Sequence, residues 1–233
     1  MQLYVLPGNP PPNFRYRCVY NRAYAHYRSV WTRIFNRPGR PPQFDPAGFY
    51  RQNYIFHIEQ EGTVVAQTLA THYHLENNIT KELPFISSLL GLPLEFLKNH
   101  SANSCLSLEY SSIAREFSPR RLNGLNMYRV IFQLALNYAR TLSVDAVVGH
   151  PRRLTQTNEV TSEIGCRVIR SGLDKYGVSV DVSIGLLDEV TADNDTLVMD
   201  KVAHLWRKRL DCIGLSFAQN SDFYNQYLNL PLQ

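Results

Sequence analysis

The sequence predicts an α/β domain built on one mixed sheet with helices packed on both faces. Three observations carry this. Strand-like and helical stretches are interleaved along the chain rather than gathered into blocks. Glu61-Gly62 lies between two alternating runs as a hairpin turn, which supplies an antiparallel pair. A long amphipathic helix separates the strands near residues 106 and 145, so those two form a right-handed crossover and run parallel.

In chain order, residues 1–14 (MQLYVLPGNPPPNF) are proline-rich and read as an extended N-terminal arm. Arg17 to Phe35 is an amphipathic helix, with Val19, Ala23, His26 or Tyr27, Val30 and Ile34 at helical spacing. NRPGRPP at residues 36–42 ends it, and residues 45–51 are an irregular connection. Tyr54 to Glu59 and Thr63 to Leu75 are the hairpin strands. Residues 80–100 form an insertion of one or two short helices, whose patch PFISSLLGLPLEFL either walls a ligand pocket or forms a satellite core cluster. A strand over about 106–116, a basic turn and a helix over about 123–142 follow. Residues 145–149 (DAVVG) are a short buried strand, 155–165 a helix, and 167–169 and 178–187 strands. Thr196 to Leu210 is a last amphipathic helix before an aromatic-polar tail.

A chain of 233 residues fits one domain with a sizeable core. The 44% apolar and 19% charged content excludes disorder. Aromatic residues are plentiful, with 14 Tyr, 11 Phe and 2 Trp, and serve either as core filling or as a pocket lining. The formal charge of +4 suits a phosphorylated ligand or acidic partner and does not call for nucleic acid. Four cysteines without a CxxC pair exclude zinc and redox motifs and fit reduced thiols. There is no signal-peptide pattern and no run approaching the roughly 18–20 apolar residues of a membrane span, so a cytoplasmic protein is expected. His72 and His74 share a strand face, but no third ligand accompanies them, so no metal is expected.

The chemistry concentrates between Ser107 and Leu142. A strand feeding a tight turn at a helix start aims backbone N–H groups and the positive end of the helix dipole at one point. Arg115, Arg120 and Arg121 surround that point, beside the carboxylate of Glu109, so the segment reads as a grip for a phosphate-bearing ligand.

This order of elements resembles the GNAT N-acyltransferase superfamily over residues 15–187. The stretch Arg121-Leu-Asn-Gly124-Leu-Asn126 is similar to the family's Q/R-x-x-G-x-G/A pyrophosphate turn, except that Asn126 replaces a small residue and hinders close approach of a diphosphate. Arg28 to Trp31 (RSVW), Asp45 before the hairpin, the insertion at 80–100 and Glu109-Tyr110-Ser111 resemble two carrier-protein-dependent groups of the superfamily. These are the acyl-homoserine lactone synthases and the long-chain N-acyl amino acid synthases. Ser112 stands where the E-x-S-R motif has arginine, and the third strand lacks the lactone synthases' arginine, which leaves the amino acid synthases as the nearer group.

The resemblance implies a twisted, mostly antiparallel sheet with a central parallel pair, residues 188–233 packing on it as a C-terminal helix and tail. It implies an N-acyltransferase that moves an acyl group, a fatty one, from acyl carrier protein or coenzyme A to the amine of an amino acid or similar acceptor, without a metal. It places Glu109, Ser111 and His150 in the catalytic group, and Ile113, Ala114, Arg115, Arg120, Arg121, Asn123, Gly124, Leu125 and Asn126 around the donor. A backbone N–H near Ser112 to Ala114 would polarise the thioester carbonyl. Arg129, Arg140, Arg152 and Arg153 add positive charge toward a phosphate or an acidic carrier protein. The family's thiolate-protonating tyrosine is absent, Thr161 standing at its place. An acetyl-CoA-dependent N-acetyltransferase and a non-catalytic thioester-binding module remain rival expectations.

Overall fold

The computed structural model describes residues 1–36, 44–77, 91–117, 122, 124–153, 156–175 and 177–214. Its strands are β1 (Gln2–Pro7), β2 (Tyr54–Gln60), β3 (Thr63–His74), β4 (Ser104–Ile113), β5 (Ala146–Gly149), β6 (Arg167–Lys175), β7 (Val178–Leu186) and β8 (Leu210–Asp211). Its helices are α1 (Arg17–Phe35), α2 (Ala47–Tyr50), α3 (Gly91–Asn99), α4 (Met127–Thr141), α5 (Gln156–Glu163) and α6 (Thr196–Arg207). The strands make one sheet in the order β6-β7-β5-β4-β3-β2-β1-β8. The pairs β4–β5 and β1–β8 are parallel and the other neighbours antiparallel. The mixed, mostly antiparallel sheet with a central parallel pair is therefore present.

Alternation along the strands builds a core on each face. Val5, Phe56, Ile58 and Val147 pack with Val130, Leu134 and Leu136 of α4 and Val198, Val202 and Leu205 of α6. Their neighbours Leu6 and Ile55, with Leu69, turn to the other face, where α1 lays down Val19, Ala23, Tyr27, Trp31 and Phe35. These five recur every fourth residue, a stripe that drifts around the helix by about 40° at each step. On that same face, Ala146 and Val148 pack with Leu97 of α3.

Three expectations need correcting. The N-terminal arm of residues 1–14 is extended over Gln2–Pro7, but as a strand inside the sheet: β1 pairs with both β2 and β8, and Leu3, Val5 and Leu6 are fully buried. Gly8 then lets the chain leave the sheet against Gln52, because a Cβ there would sit 2.0 Å from the Gln52 carbonyl oxygen. The short strand read at 167–169 continues to Lys175 and pairs with β7 along its length. Residues 45–51 also wind a short turn of helix, α2, and just before it Asp45 Oδ1 accepts the Ala47 N–H at 2.9 Å. The first part of the apolar insertion and the tail beyond residue 214 lie outside the described residues. The described end of the insertion, α3, joins the cluster of Tyr73, Leu75 and Cys105, as a satellite core.

Candidate active site

β4 and β5 run side by side from Cys105↔Ala146 to Leu108↔Gly149. There β5 stops, while β4 continues for five more residues, Glu109 to Ile113. The parallel pair thus opens into a fork. Glu109 is the first residue past it on one strand, and His150 the first on the other. A bulge sharpens the opening. Three residue steps on β4 (Glu109 to Ser112) face two on β3 (Leu69 to Gln67), and Tyr110 takes up the extra residue at φ 52°.

The far side of the fork is closed by the β6–β7 hairpin. β5 pairs only with Ser183 to Leu186 of β7, so the first half of β7 and the end of β6 run on past the end of β5. Arg152 bridges to Val180 there, and Val178 and Val180 pack with the α1 stripe. The result is a cavity of about 390 Å³. Its apolar wall is Val30, Trp31, Ile34 and Phe35 of α1 with Val178 and Val180. Its polar wall includes Glu109, Ser111, His150 and Lys175, with Tyr128 from the first turn of α4.

Glu109 is 8% exposed, and burial pushes its carboxyl above the ordinary carboxylate range, opposed by the charges of Lys175 and Arg51. Lys175 Nζ lies 4.0 Å from Glu109 Oε2, with the lysine side chain 11% exposed. Burial pushes this ammonium down while Glu109 holds it up. His150 is driven to about 3 by burial and by the Lys175 charge, so its imidazole is neutral near pH 7. Such a group can orient a ligand but is a weak proton acceptor. Ser111 Oγ shares a hydrogen bond of 2.7 Å with Thr68 Oγ1.

The last backbone amides of β4 divide between its two edges. Ala114 N–H is already spent on the Val65 carbonyl at 3.0 Å. The alternation of an antiparallel ladder then turns the Ile113 N–H to the opposite edge of β4, where β5 has ended. Ile113 lines the cavity.

Of the described residues expected around a donor phosphate, Ile113 alone lines the cavity. Arg120, Arg121 and Asn123 lie outside the described residues. Ala114, Arg115, Gly124, Leu125 and Asn126 are not in the cavity lining. Gly124 holds φ 90° in open space, so backbone conformation rather than crowding calls for glycine. Asn126 is the N-cap of α4, its Oδ1 accepting the Tyr128 N–H at 3.0 Å, which occupies one of the donors an anion would use. Of the wider arginine cluster, Arg129 is held by Asp193 at 2.7 Å and by Glu163, and Arg140 donates to the Val190 carbonyl. Both are structural. Arg152 reaches the cavity.

No family model and no curated protein matches the chain. Solved structures do. FeeM, an N-acyl amino acid synthase from uncultured soil microbes, is 13% identical with a TM-score of 0.51, covering 80% of this chain and 91% of its own. MesI, a CoA-dependent acyl-homoserine lactone synthase, is 10% identical at 0.51, over 87% and 94%. A polyamine N-acetyltransferase of Drosophila melanogaster is 14% identical at 0.50, over 79% and 100%.

The chain has the GNAT fold.

On this GNAT sheet the fork between β4 and β5 is the opening that the cavity fills. One of its residues, Lys175, carries no signal in the sequence. Lys175 ends a strand whose side chains are mostly exposed, without hydrophobic alternation to place it. Ser112 lies 3.0 Å from His26 Nε2 of α1, a histidine that burial and then His57 hold at about 4. Thr161 lines the cavity, but its hydroxyl donates to the Asn158 carbonyl at 3.1 Å and is committed within α5. Among the described residues no group of three or more His, Cys, Asp or Glu is placed to hold a metal, and no helix is long and apolar enough to cross a membrane.

Proposed function

We propose that this protein transfers an acyl group from a thioester to the amine of an amino acid or a similar small acceptor. The observation that carries the reading is the fork itself. A buried carboxylate and a free-edge backbone amide face one cavity, opposite an apolar wall. Amide formation from a thioester needs an amine stripped of a proton and a polarised carbonyl. Glu109, with its carboxyl raised by burial, accepts the amine proton. The Ile113 N–H stabilises the oxyanion as the amine nitrogen bonds to the carbonyl carbon. The C–S bond then breaks and the thiolate departs. A cavity of about 390 Å³ is in the size range of small-molecule sites.

The apolar wall of α1 and β7 supports a fatty acyl group over acetyl. FeeM, an N-acyl amino acid synthase, and MesI, an acyl-homoserine lactone synthase, support acyl transfer to an amine in general. The Asn126 cap supports a donor that offers little beyond a phosphopantetheine arm, as acyl carrier protein does. Asn126→Gly costs only a few tenths of a kcal/mol of stability and releases the Tyr128 N–H. A coenzyme A donor is then expected to bind about tenfold more tightly, one charge-assisted hydrogen bond's worth. Titration calorimetry of both proteins with coenzyme A reads this directly.

The reading itself is tested by mass spectrometry of lipids from cells expressing the chain or Glu109→Gln. New N-acyl amino acids with the native chain alone support it. Acetylated products alone would replace the fatty acyl reading with an acetyltransferase. Unchanged lipids, together with thioester binding, would leave a binding module.

A further inference from the structure

The transfer as described leaves one proton unassigned, the one the departing thiolate regains. The hydroxyl of Thr161 is held by Asn158. The cavity, however, contains a lysine. Lys175 Nζ lies 4.0 Å from Glu109 Oε2 and 5.5 Å from the centre of the Tyr110 ring, and its side chain is 11% exposed. The position is unusual for lysine, which is almost never buried unless paired. The hairpin accounts for it. β6 and β7 overhang the end of β5, so the last residue of β6 reaches across the fork to the first free residue of β4.

We propose that Lys175 is the catalytic acid of this site, giving its proton to the thiolate while Glu109, 4.0 Å away, takes the proton of the amine; the assignment rests on the acyl-transfer reading above. The step balances. The amine nitrogen bonds to the carbonyl carbon and its proton passes to the Glu109 carboxylate. The C–S bond breaks with its electron pair on sulfur, and the Lys175 ammonium protonates that sulfur. The site is left as a neutral acid beside a neutral amine. With an acceptor that arrives as the neutral amine, one proton crossing from Glu109 to Lys175 restores the starting pair; an acceptor that arrives as ammonium first gives its extra proton to Glu109, which passes it to solvent. Burial tunes both partners the right way, raising the carboxyl and lowering the ammonium.

A lysine that acts as an acid differs from one that only neutralises Glu109 in two ways. Arginine can replace the second but not the first, because a guanidinium does not give up its proton. The first also matters only when the leaving group needs a proton. The test compares native protein, Lys175→Met and Lys175→Arg, using octanoyl-CoA and the thiophenyl ester of octanoate as donors and an amino-acid mixture as acceptor. Both variants are expected to lose about 10²-fold in kcat/KM with octanoyl-CoA. Lys175→Arg, which keeps a positive charge beside Glu109, should stay within a few-fold of native with the aryl thioester, whose thiolate leaves unprotonated. Circular dichroism checks folding, and Lys175→Arg alone decides the matter if the Met variant does not fold. Full activity of Lys175→Arg with octanoyl-CoA overturns the proposal, as does an equal loss with both donors. A native protein that releases thiol from neither donor, nor from octanoyl-acyl carrier protein, overturns the acyl-transfer reading first, and this proposal with it.

Discussion

Glu109→Gln is expected to lower kcat/KM for acyl transfer by about 10²–10⁴-fold, the usual weight of a positioned general base. The amide keeps the size of the side chain, so the fork and its bulge should persist. What is lost is the site that takes the amine proton. The residual activity should then climb with pH toward the acceptor amine's own pKa, since only amine already deprotonated in solution can attack. Native protein should level off earlier. The double variant Glu109→Gln/Lys175→Met should be little worse than the poorer single one, because residues that act as a unit are not additive. Steady-state kinetics across pH 6–10 on the four proteins would check both statements. A Glu109→Gln variant with native kcat/KM would remove Glu109 from the chemistry.

Glu59→Ala is expected to destabilise the fold by about 3 kcal/mol at pH 7, the low end for breaking a buried ion pair, since Arg22 is partly exposed. Glu59 sits on β2 with its side chain 5% exposed. It accepts Arg22 Nε and Nη2, each at 2.8 Å, and hydrogen-bonds His57 Nε2 at 2.9 Å. Burial raises the carboxyl, but the hydrogen bonds to Arg22 and His57 outweigh it and bring the group to about 2, below its ordinary 4.5. The sign follows. A depressed carboxyl contributes stability that is complete above about pH 4.5 and lost as pH falls toward 2. The gap between native and Glu59→Ala in urea denaturation should therefore be widest at pH 5–7 and narrow at pH 3. A gap that stays constant from pH 3 to 7 would mean that the charge of Glu59 contributes nothing. The network anchors α1 to the sheet, and α1 carries the apolar wall of the cavity.

How much of this was legible in the sequence depends on the kind of pattern each part leaves. The parallel pair could be read because a long amphipathic helix between two strands leaves few topologies open. Glu109 stands out as the carboxylate of the strand before the anion turn and His150 as the residue that ends DAVVGH, and the structure puts both on the cavity. β1 was obscured by the prolines after it, since six residues before a proline-rich run show too little alternation to outweigh it. β6 was read short because an edge strand with polar groups on both faces has no hydrophobic period. That is why Lys175 stayed hidden. Nothing in the sequence joins it to Glu109, and only the overhang of the hairpin does. The bulge at Tyr110 was equally silent, because a left-handed tyrosine is enforced by its aromatic neighbours Tyr27 and Trp31 rather than by its own preference. Arg129 shows the converse: beside the anion turn it reads as a phosphate contact, and in the fold Asp193 and Glu163 hold its guanidinium.

The central claim is that the fork between β4 and β5 joins a thioester acyl group to an amine. The most direct measurement is simultaneous quantification of free thiol and amide product from purified protein supplied with an acyl thioester and an amino-acid mixture. Thiol and N-acyl amino acid rising together in equal amounts, and both falling with Glu109→Gln, is the predicted result. Thiol released without amide, or neither product from any acetyl or fatty acyl thioester of coenzyme A or acyl carrier protein, would contradict it.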